Sequence, residues 1–182
     1  MRKIIFSINI TIDGFADHTA GIADNELHDF FADMLDDADI VLLGRKTYEM
    51  MASYWPFADQ DPGSTKSELK FAEKYNSVSK LVFSTTLKEV KWNNTTLAKG
   101  NLIDEVLKLK NQRGKYIFAG SLSIASALAE KNLIDEYWLL IHPVVLGKGK
   151  PLFEDLQSRI DLKLVETKTF GSGVVVLHYQ KT

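Results

Sequence analysis

The 182-residue sequence contains no cysteine. The chain therefore has no disulfide bonds, no thiolate ligands for a metal and no cysteine nucleophile. If a protein of this composition performs redox chemistry, a bound cofactor must supply it. The 45% hydrophobic and 25% charged residues are typical of a globular protein, and the length fits a single domain over residues 1–182.

The sequence also lacks a strong net charge and a long apolar run. With 22 basic and 24 acidic residues the formal net charge is −2, and lysines and arginines are not clustered, so we expect no nucleic-acid partner. No apolar stretch approaches the roughly 18 residues of a membrane-spanning helix, so we expect no membrane partner and a cytoplasmic location. The apolar run after Met1 resembles a short signal peptide, but residues 4–12 alternate apolar and polar side chains, which predicts a strand.

Common phosphate and metal motifs are absent as well. Neither G-x-G-x-x-G nor G-x-x-x-x-G-K-[ST] occurs, and no helix pattern follows Gly147–Lys150, so a tight turn is favoured there. The four histidines show no ligand spacing with one another, which predicts that the chain binds no metal. The alternative is a metal bound by Asp24 and His28, which are four residues apart.

Strand and helix patterns alternate along the chain. Predicted strands lie near residues 4–12, 39–43, 80–84, 115–119, 137–145, 162–170 and 174–179, and predicted helices near 27–35, 45–51, 68–75, 102–109 and 121–129. Residues 59–67 are predicted to form a loop. The alternation predicts an α/β fold with a mixed, mainly parallel sheet and helices on both faces. The last two strands, joined by residues 171–173, form a C-terminal antiparallel hairpin.

Three of the predicted strands end in a junction of small or polar residues. The junctions are Leu43-Gly44-Arg45-Lys46-Thr47, Phe83-Ser84-Thr85-Thr86 and Ala119-Gly120-Ser121. Ligands bind outside the carboxyl ends of strands in α/β sheets, and free N–H groups at helix starts bind phosphate. Because Arg45 and Lys46 add positive charge, the junctions predict a site for a phosphorylated cofactor. The alternative is ordinary helix capping, for which Ser, Thr and Gly are also favoured.

Several segments resemble the dihydrofolate reductase family. Residues 43–49 (LGRKTYE) resemble its G-R-x-T-[YW]-E segment, residues 10–14 (ITIDG) its S-x-D-G turn, and residues 81–84 (LVFS) its next cofactor strand. Residues 133–136, 142–147 and 151–153 resemble the C-terminal reductase domain of bifunctional riboflavin-biosynthesis proteins. The chain is identified as a stand-alone bacterial member built on that domain.

The resemblance implies a three-layer dihydrofolate-reductase-like fold and NADPH-dependent reduction of a pteridine- or aminopyrimidine-type substrate, as by 5-amino-6-(5-phosphoribosylamino)uracil reductase. It also implies which residues bind the cofactor. The phosphates would be held by Gly44, Arg45, Lys46 and Thr47, the adenosine 2′-phosphate would lie near Ser84 and Thr85, and the pyrophosphate and nicotinamide side would be covered by Gly120, Ser121, Leu122 and Ser123. The planar guanidinium of Arg45 suits a 2′-phosphate, which favours NADPH over NADH.

Two positions depart from the family pattern. Gly120-Ser121 stands where dihydrofolate reductases have a Gly-Gly pair, often with a cis bond. Ala119 stands where the riboflavin-pathway reductases commonly have a glutamate that meets the ribose side of the substrate. The identity of the substrate is therefore left open.

Two carboxylates are candidate catalytic residues for proton delivery, with bound water as the third source. Asp24 precedes the first apolar helix near its buried side, so it is either a proton donor in the cleft or a helix N-cap. Asp13 follows the first strand, so it either contacts the substrate or forms a turn with Gly14.

Asn9, Tyr48 and Trp55 are expected to contact the substrate. The indole ring of Trp55 can pack against a planar substrate ring, and packing in the core or at an interface is its alternative role. The expected partners are a small heterocyclic substrate and, from the apolar final strands and the resemblance, a second copy of the chain in a homodimer. The alternative functions are dihydrofolate reductase activity, nucleotide binding without turnover, or an oligomeric structural role.

Overall fold

The computed structural model describes residues 1–154 and 156–182. The strands in these ranges are β1 (Lys3–Thr11), β2 (Ala38–Gly44), β3 (Ser79–Phe83), β4 (Thr95–Leu97), β5 (Tyr116–Ala119), β6 (Glu136–His142), β7 (Leu162–Thr169) and β8 (Val175–Lys181). The helices are α1 (Asn25–Leu35), α2 (Arg45–Ala52), α3 (Lys66–Ser77), α4 (Leu102–Lys110) and α5 (Leu122–Glu130), and a 3-10 helix spans Trp55–Gln60.

The strands form one mixed sheet in the order β4-β3-β2-β5-β1-β6-β8-β7. Pairing is parallel from β4 across to β6. The hairpin of β7 and β8 is antiparallel, and β8 also pairs antiparallel with β6. The predicted mixed, mainly parallel sheet with a C-terminal hairpin is confirmed.

Helices cover both faces of this sheet, which gives three layers. On one face α4 and α5 pack against β1 and β5 through residues such as Val106, Leu128 and Ile117. On the other face α1, α2 and α3 pack against β2 and β3 through Ala32, Tyr48 and Phe71 among others. Within the described ranges, none of the helices has both the length and the apolar character needed to cross a bilayer.

The central strand β1 shows how the sequence determines the layers. Ile4 and Phe6 are fully buried against α5, while Ile5 is buried in the core on the opposite face. Alternate side chains of a strand point to opposite faces, so a strand in the middle of this sheet needs apolar residues at consecutive positions. Ile12, which lies beyond the end of β1, is 62% exposed.

Two short elements differ from the sequence prediction. The strand β4 has three residues and pairs only with β3 at the edge of the sheet, so it is too short for a periodicity signal. The 3-10 helix at Trp55–Gln60 covers the start of the predicted loop, and α3 begins at Lys66 instead of near residue 68. A capping box formed by Thr65 and Glu68 sets that earlier start, because it satisfies the free backbone N–H groups of the first turn.

A buried lysine joins α3 to the sheet. Lys80 is 1% exposed, and its ammonium group donates hydrogen bonds of 2.8 Å to the carbonyl oxygens of Tyr75 and Val78. It also lies 4.5 Å from the centre of the Trp92 ring. Among the described residues no carboxylate pairs with it, and burial lowers the pKa of Lys80 to about 8.

This lysine predicts a pH dependence of stability. The folded state releases the Lys80 proton near pH 8, whereas the unfolded state releases it near the ordinary pKa of 10.5. Between these values the unfolded state binds more protons, so the free energy of unfolding should rise with pH. In urea denaturation, the difference in unfolding free energy between the wild type and Lys80→Met should increase with pH over this range. The difference between the wild type and the exposed control Lys88→Met should stay constant. A Lys80→Met difference that stays constant over this range would contradict the assignment.

Candidate functional site

The junctions after β2 and β5 lie against each other. Because these strands are parallel neighbours, their carboxyl ends meet at the same edge of the sheet, where α2 and α5 begin. The backbone N–H of Gly44 donates a 2.8 Å hydrogen bond to Oγ of Ser121, which is 4% exposed. A Cβ atom on Gly44 would lie 2.9 Å from Oγ of Ser123, so glycine permits this close approach. The peptide bond between Gly120 and Ser121 is trans.

These two helices differ from the others in how they begin. The helices α1, α3 and α4 each begin with an N-cap residue whose side chain accepts a hydrogen bond from a backbone N–H of the first turn. These N-cap residues are Asp24, Thr65 and Asn101 respectively. At α2 and α5 the N-cap residues, Gly44 and Ser121, provide no such bond. The capping alternative for these two junctions is therefore wrong as far as side chains are concerned. The free N–H groups and the positive ends of two helix dipoles meet at one place, which suits an anion.

A cleft of about 530 Å³ extends from this edge along the end of β3. Its lining includes Arg45, Ser84 and Thr85, which the sequence predicted, and Gly100 and Asn101, which it did not. The guanidinium of Arg45 lies 3.2 Å from the carboxylate of Glu49, and both side chains are about half exposed. Lys46 is exposed and Thr47 half-buried in the first turn of α2.

The third junction forms a turn and not a helix start. Oγ of Ser84 accepts hydrogen bonds from the backbone N–H groups of Thr86 at 3.1 Å and Leu87 at 3.0 Å.

Leu122 and Ser123, in the first turn of α5, are half-buried and exposed respectively. Gly100 and Asn101 follow β4, and the signal that was available for them is a Gly-Asn pair before an amphipathic helix, typical of an N-cap.

A second group of polar residues lies at the carboxyl ends of β1 and β6. His142 is 1% exposed; its Nδ1 accepts the backbone N–H of Ile22 at 2.9 Å, and its Nε2 lies 2.9 Å from Oδ1 of Asn9. A Cβ atom on Gly21 would lie 3.3 Å from the imidazole ring, so the segment before α1 packs tightly on it. Burial lowers the pKa of His142, and the nearby Asp24 carboxylate opposes this effect.

Both candidate proton donors have defined structural contacts. Asp24 is the N-cap of α1, and its Oδ1 accepts the backbone N–H of Leu27 at 2.8 Å, which confirms the capping alternative. Asp13 accepts the hydroxyl of Thr11 at 2.6 Å and the backbone N–H of Gly147 at 2.7 Å. These bonds lower the pKa of Asp13 to about 2, so it is held ionised and is poorly suited to give up a proton at neutral pH.

Two of the three residues predicted to contact the substrate have packing contacts. Tyr48 is 7% exposed, and its hydroxyl accepts the backbone N–H of Lys91 at 2.9 Å. The Trp55 ring packs edge-on against Phe71, with ring centres 4.6 Å apart, and against His28 at 5.7 Å. Asn9 is half-buried at the open end of β1. Tyr48 and Trp55 therefore have packing contacts, whereas Asn9 lies beside His142 in the polar group at the ends of β1 and β6.

Comparison with known proteins identifies relatives along the whole chain. Residues 2–176 match the family described as the RibD C-terminal domain. The chain is 40% identical over 182 residues to the uncharacterized protein YyaP of Bacillus subtilis (strain 168), with 98% of this chain and 94% of YyaP covered.

Solved structures agree with the fold. Dihydrofolate reductase from Enterococcus faecalis complexed with NADP(H) superposes with a TM-score of 0.64 at 12% identity, over 99% of this chain and 96% of that enzyme. The diaminohydroxyphosphoribosylaminopyrimidine deaminase/5-amino-6-(5-phosphoribosylamino)uracil reductase of Thermotoga maritima gives a TM-score of 0.67 at 15% identity, over 100% of this chain and 57% of that one. At these identities the likeness establishes a dihydrofolate-reductase-like fold.

The contact between the two junctions predicts a difference between two serines of the same helix start. Ser121→Ala leaves the buried N–H of Gly44 without an acceptor, which should lower the free energy of unfolding by about 1–3 kcal/mol. Ser123→Ala, which changes an exposed side chain, should stay within about 0.5 kcal/mol of the wild type. Urea denaturation measures both, and equal effects of the two substitutions would contradict the structural role of Ser121.

Proposed function

Because this chain belongs to the RibD C-terminal domain family, we propose that it is an oxidoreductase that uses NADPH to reduce a pteridine- or aminopyrimidine-type ring. One observation is the main support: of five α-helices in the described ranges, the two that lack a side-chain N-cap begin side by side. Their free N–H groups and dipoles form a ready site for the pyrophosphate of a dinucleotide. The absence of a side chain at Gly44 lets the start of α5 lie close against this junction, which brings the two helix N-termini together.

The neighbouring cleft suits the adenosine end of NADPH. We propose that Arg45 binds the 2′-phosphate, assisted by the hydroxyl groups of Ser84 and Thr85. Glu49 holds the guanidinium in the absence of the nucleotide, and a phosphate offers it a bidentate partner of higher charge. Lys46 and Thr47, in the first turn of α2, would help to hold the phosphates. Leu122 and Ser123, in the first turn of α5, would cover the pyrophosphate and nicotinamide side.

The proposed reaction depends on positioning. Bound NADPH would supply a hydride to the ring of the substrate. The residues of this chain would hold the ring beside α5, at the open end of β1, and exclude water from it. For the accompanying proton we propose a bound water molecule at the end of β1, since the Asp24 carboxylate caps α1 and the Asp13 carboxylate is held ionised.

Nucleotide binding without turnover is the second candidate. It is favoured by Ala119, which ends β5 where related reductases commonly have a glutamate for their substrate. Under this alternative NADPH binds, but no heterocycle oxidises it. Dihydrofolate reductase activity is a narrower form of the first proposal and is tested by including dihydrofolate among the substrates.

We also propose that two copies of the chain associate. The edge strand β7 has seven exposed residues out of eight, including Leu164 and Val165, each 48% exposed. Adjacent apolar side chains on a strand with one free edge favour pairing with another copy.

The Arg45 proposal predicts a loss that is specific to NADPH. Arg45→Ala should weaken NADPH binding about 10- to 100-fold, because a charge-assisted bond to phosphate is lost, and leave NADH binding nearly unchanged. Quenching of tryptophan fluorescence measures both affinities. Arg113→Ala removes an exposed arginine from the opposite end of the sheet, before β5, and should change neither. Equal losses for both nucleotides would contradict the 2′-phosphate assignment.

Turnover separates the two candidate functions. We expect the protein to oxidise NADPH with at least one member of a panel of dihydrofolate, dihydropterins and aminopyrimidines. Binding of NADPH with no oxidation across the panel would favour the non-catalytic alternative. No binding of NADPH at millimolar concentration would overturn both.

The dimer proposal predicts an effect of charge on β7. Light scattering after size exclusion should give twice the chain mass for the wild type, and Val165→Lys should raise the dissociation constant at least about tenfold. Glu166→Gln, a polar change on the same strand, should leave the mass unchanged. A monomeric wild type at high concentration would contradict the proposal.

A further inference from the structure

The strand β1 is open on one side near its carboxyl end. It pairs with β5 only as far as Phe6 and Ala119, because β5 ends there. On the other side β1 pairs with β6 through to Thr11 and His142. Among the described residues no strand pairs with residues 7–11 of β1 on this side, so the strand pairing has a gap beyond the end of β5, where α5 begins. In α/β sheets such a gap at a change of strand order is where ligands bind.

The hydrogen bonds of His142 fix its tautomer. A backbone N–H is only a donor, so Nδ1 of His142, which lies 2.9 Å from the N–H of Ile22, must be the acceptor. The proton of the neutral imidazole is then on Nε2, which donates to Asn9 across 2.9 Å. The atom of Asn9 that faces the imidazole must consequently be its oxygen.

This arrangement also fixes the amide group of Asn9. With Oδ1 bound to His142, the NH₂ group points away from the imidazole, and no described residue accepts a hydrogen bond from it. Asn9 is half-buried, and its Nδ2 is not fully buried, so a ligand can reach this group. The result is a hydrogen-bond donor of fixed direction beside the gap.

We propose that Asn9 donates a hydrogen bond to an oxo oxygen of the substrate ring, and that His142 is the positioning residue that keeps the donor turned toward it. This inference rests on the proposed function, because it assumes that a heterocycle enters the gap. It extends that function by specifying which ring is accepted: one that presents an oxo group, and not an amino group, to Asn9.

The test uses a pair of rings that differ in this respect. The probe 5,6-diaminouracil has oxo groups where 2,4,5,6-tetraaminopyrimidine has amino groups. With saturating NADP⁺, calorimetry should show that the wild type binds the oxo probe at least about tenfold more tightly than the amino probe.

Asn9→Asp is the decisive variant. A carboxylate oxygen still accepts the Nε2–H of His142, so the contact between β1 and the imidazole is retained. The donor is replaced by an acceptor, and the preference should reverse toward the amino probe. A purely structural role for Asn9 predicts instead that Asn9→Asp keeps the wild-type preference, and that result would overturn the inference.

Two substitutions of His142 test its positioning role. The amide nitrogen of Gln can replace Nε2 as a donor to Asn9, so His142→Gln should retain the preference for the oxo probe. His142→Phe lets the Asn9 amide rotate, and the preference should fall toward equal binding. If His142→Phe retains the full preference, the positioning role is refuted.

Binding of NADPH to each variant separates this inference from the proposed function. All variants should quench tryptophan fluorescence with NADPH as the wild type does. Failure of the wild type to bind NADPH would refute the proposed function itself. Normal NADPH binding, with either no binding of the two probes or a preference unaffected by Asn9→Asp, would refute only the role of Asn9.

Discussion

The hydrogen bond from the N–H of Gly44 to Oγ of Ser121 links the two strand–helix junctions on which the rest of the site depends. Parallel pairing of β2 and β5 brings their carboxyl ends together, and the bond holds the loops that follow at close range. Neither α2 nor α5 has a side-chain N-cap, so both helix N-termini are available to an anion beside this contact.

The unequal lengths of the central strands provide the second half of the site. Because β5 ends opposite Phe6 while β1 continues to Thr11, a gap opens between the start of α5 and the polar side chains of β1. Hydrogen bonds of side chains hold the segments around this gap in place. His142 joins β1, β6 and the segment before α1, and Asp13 ties the end of β1 to the backbone of residues 146 and 147. A nucleotide held at the junctions and a ring held in the gap would be neighbours.

Sequence patterns predicted the main elements because apolar periodicity is strong where elements are buried, as in Ile4, Phe6 and Ile10 of β1. They missed β4, which has three residues, and did not reveal the linking role of Ser121, since a bond between residues 77 positions apart leaves no local signal. The capping role of Asp24, which the sequence offered as the alternative to a catalytic role, was recognisable because an Asp before an apolar helix is a local feature. Tyr48 and Trp55 were assigned to the substrate because aromatic residues in packing and in binding sites look alike in sequence. The link between Asn9 and His142, across paired strands, required the structure.

A crystal structure of the chain with NADP⁺ tests the central claim most directly, because it locates the nucleotide relative to both junctions. The account predicts pyrophosphate oxygens within hydrogen-bond distance of backbone N–H groups in the first turns of α2 and α5. It also predicts the 2′-phosphate at Arg45 and the nicotinamide extending toward the gap beside Asn9. A nucleotide bound elsewhere on the molecule, with the N–H groups of both helix starts still free, would contradict it.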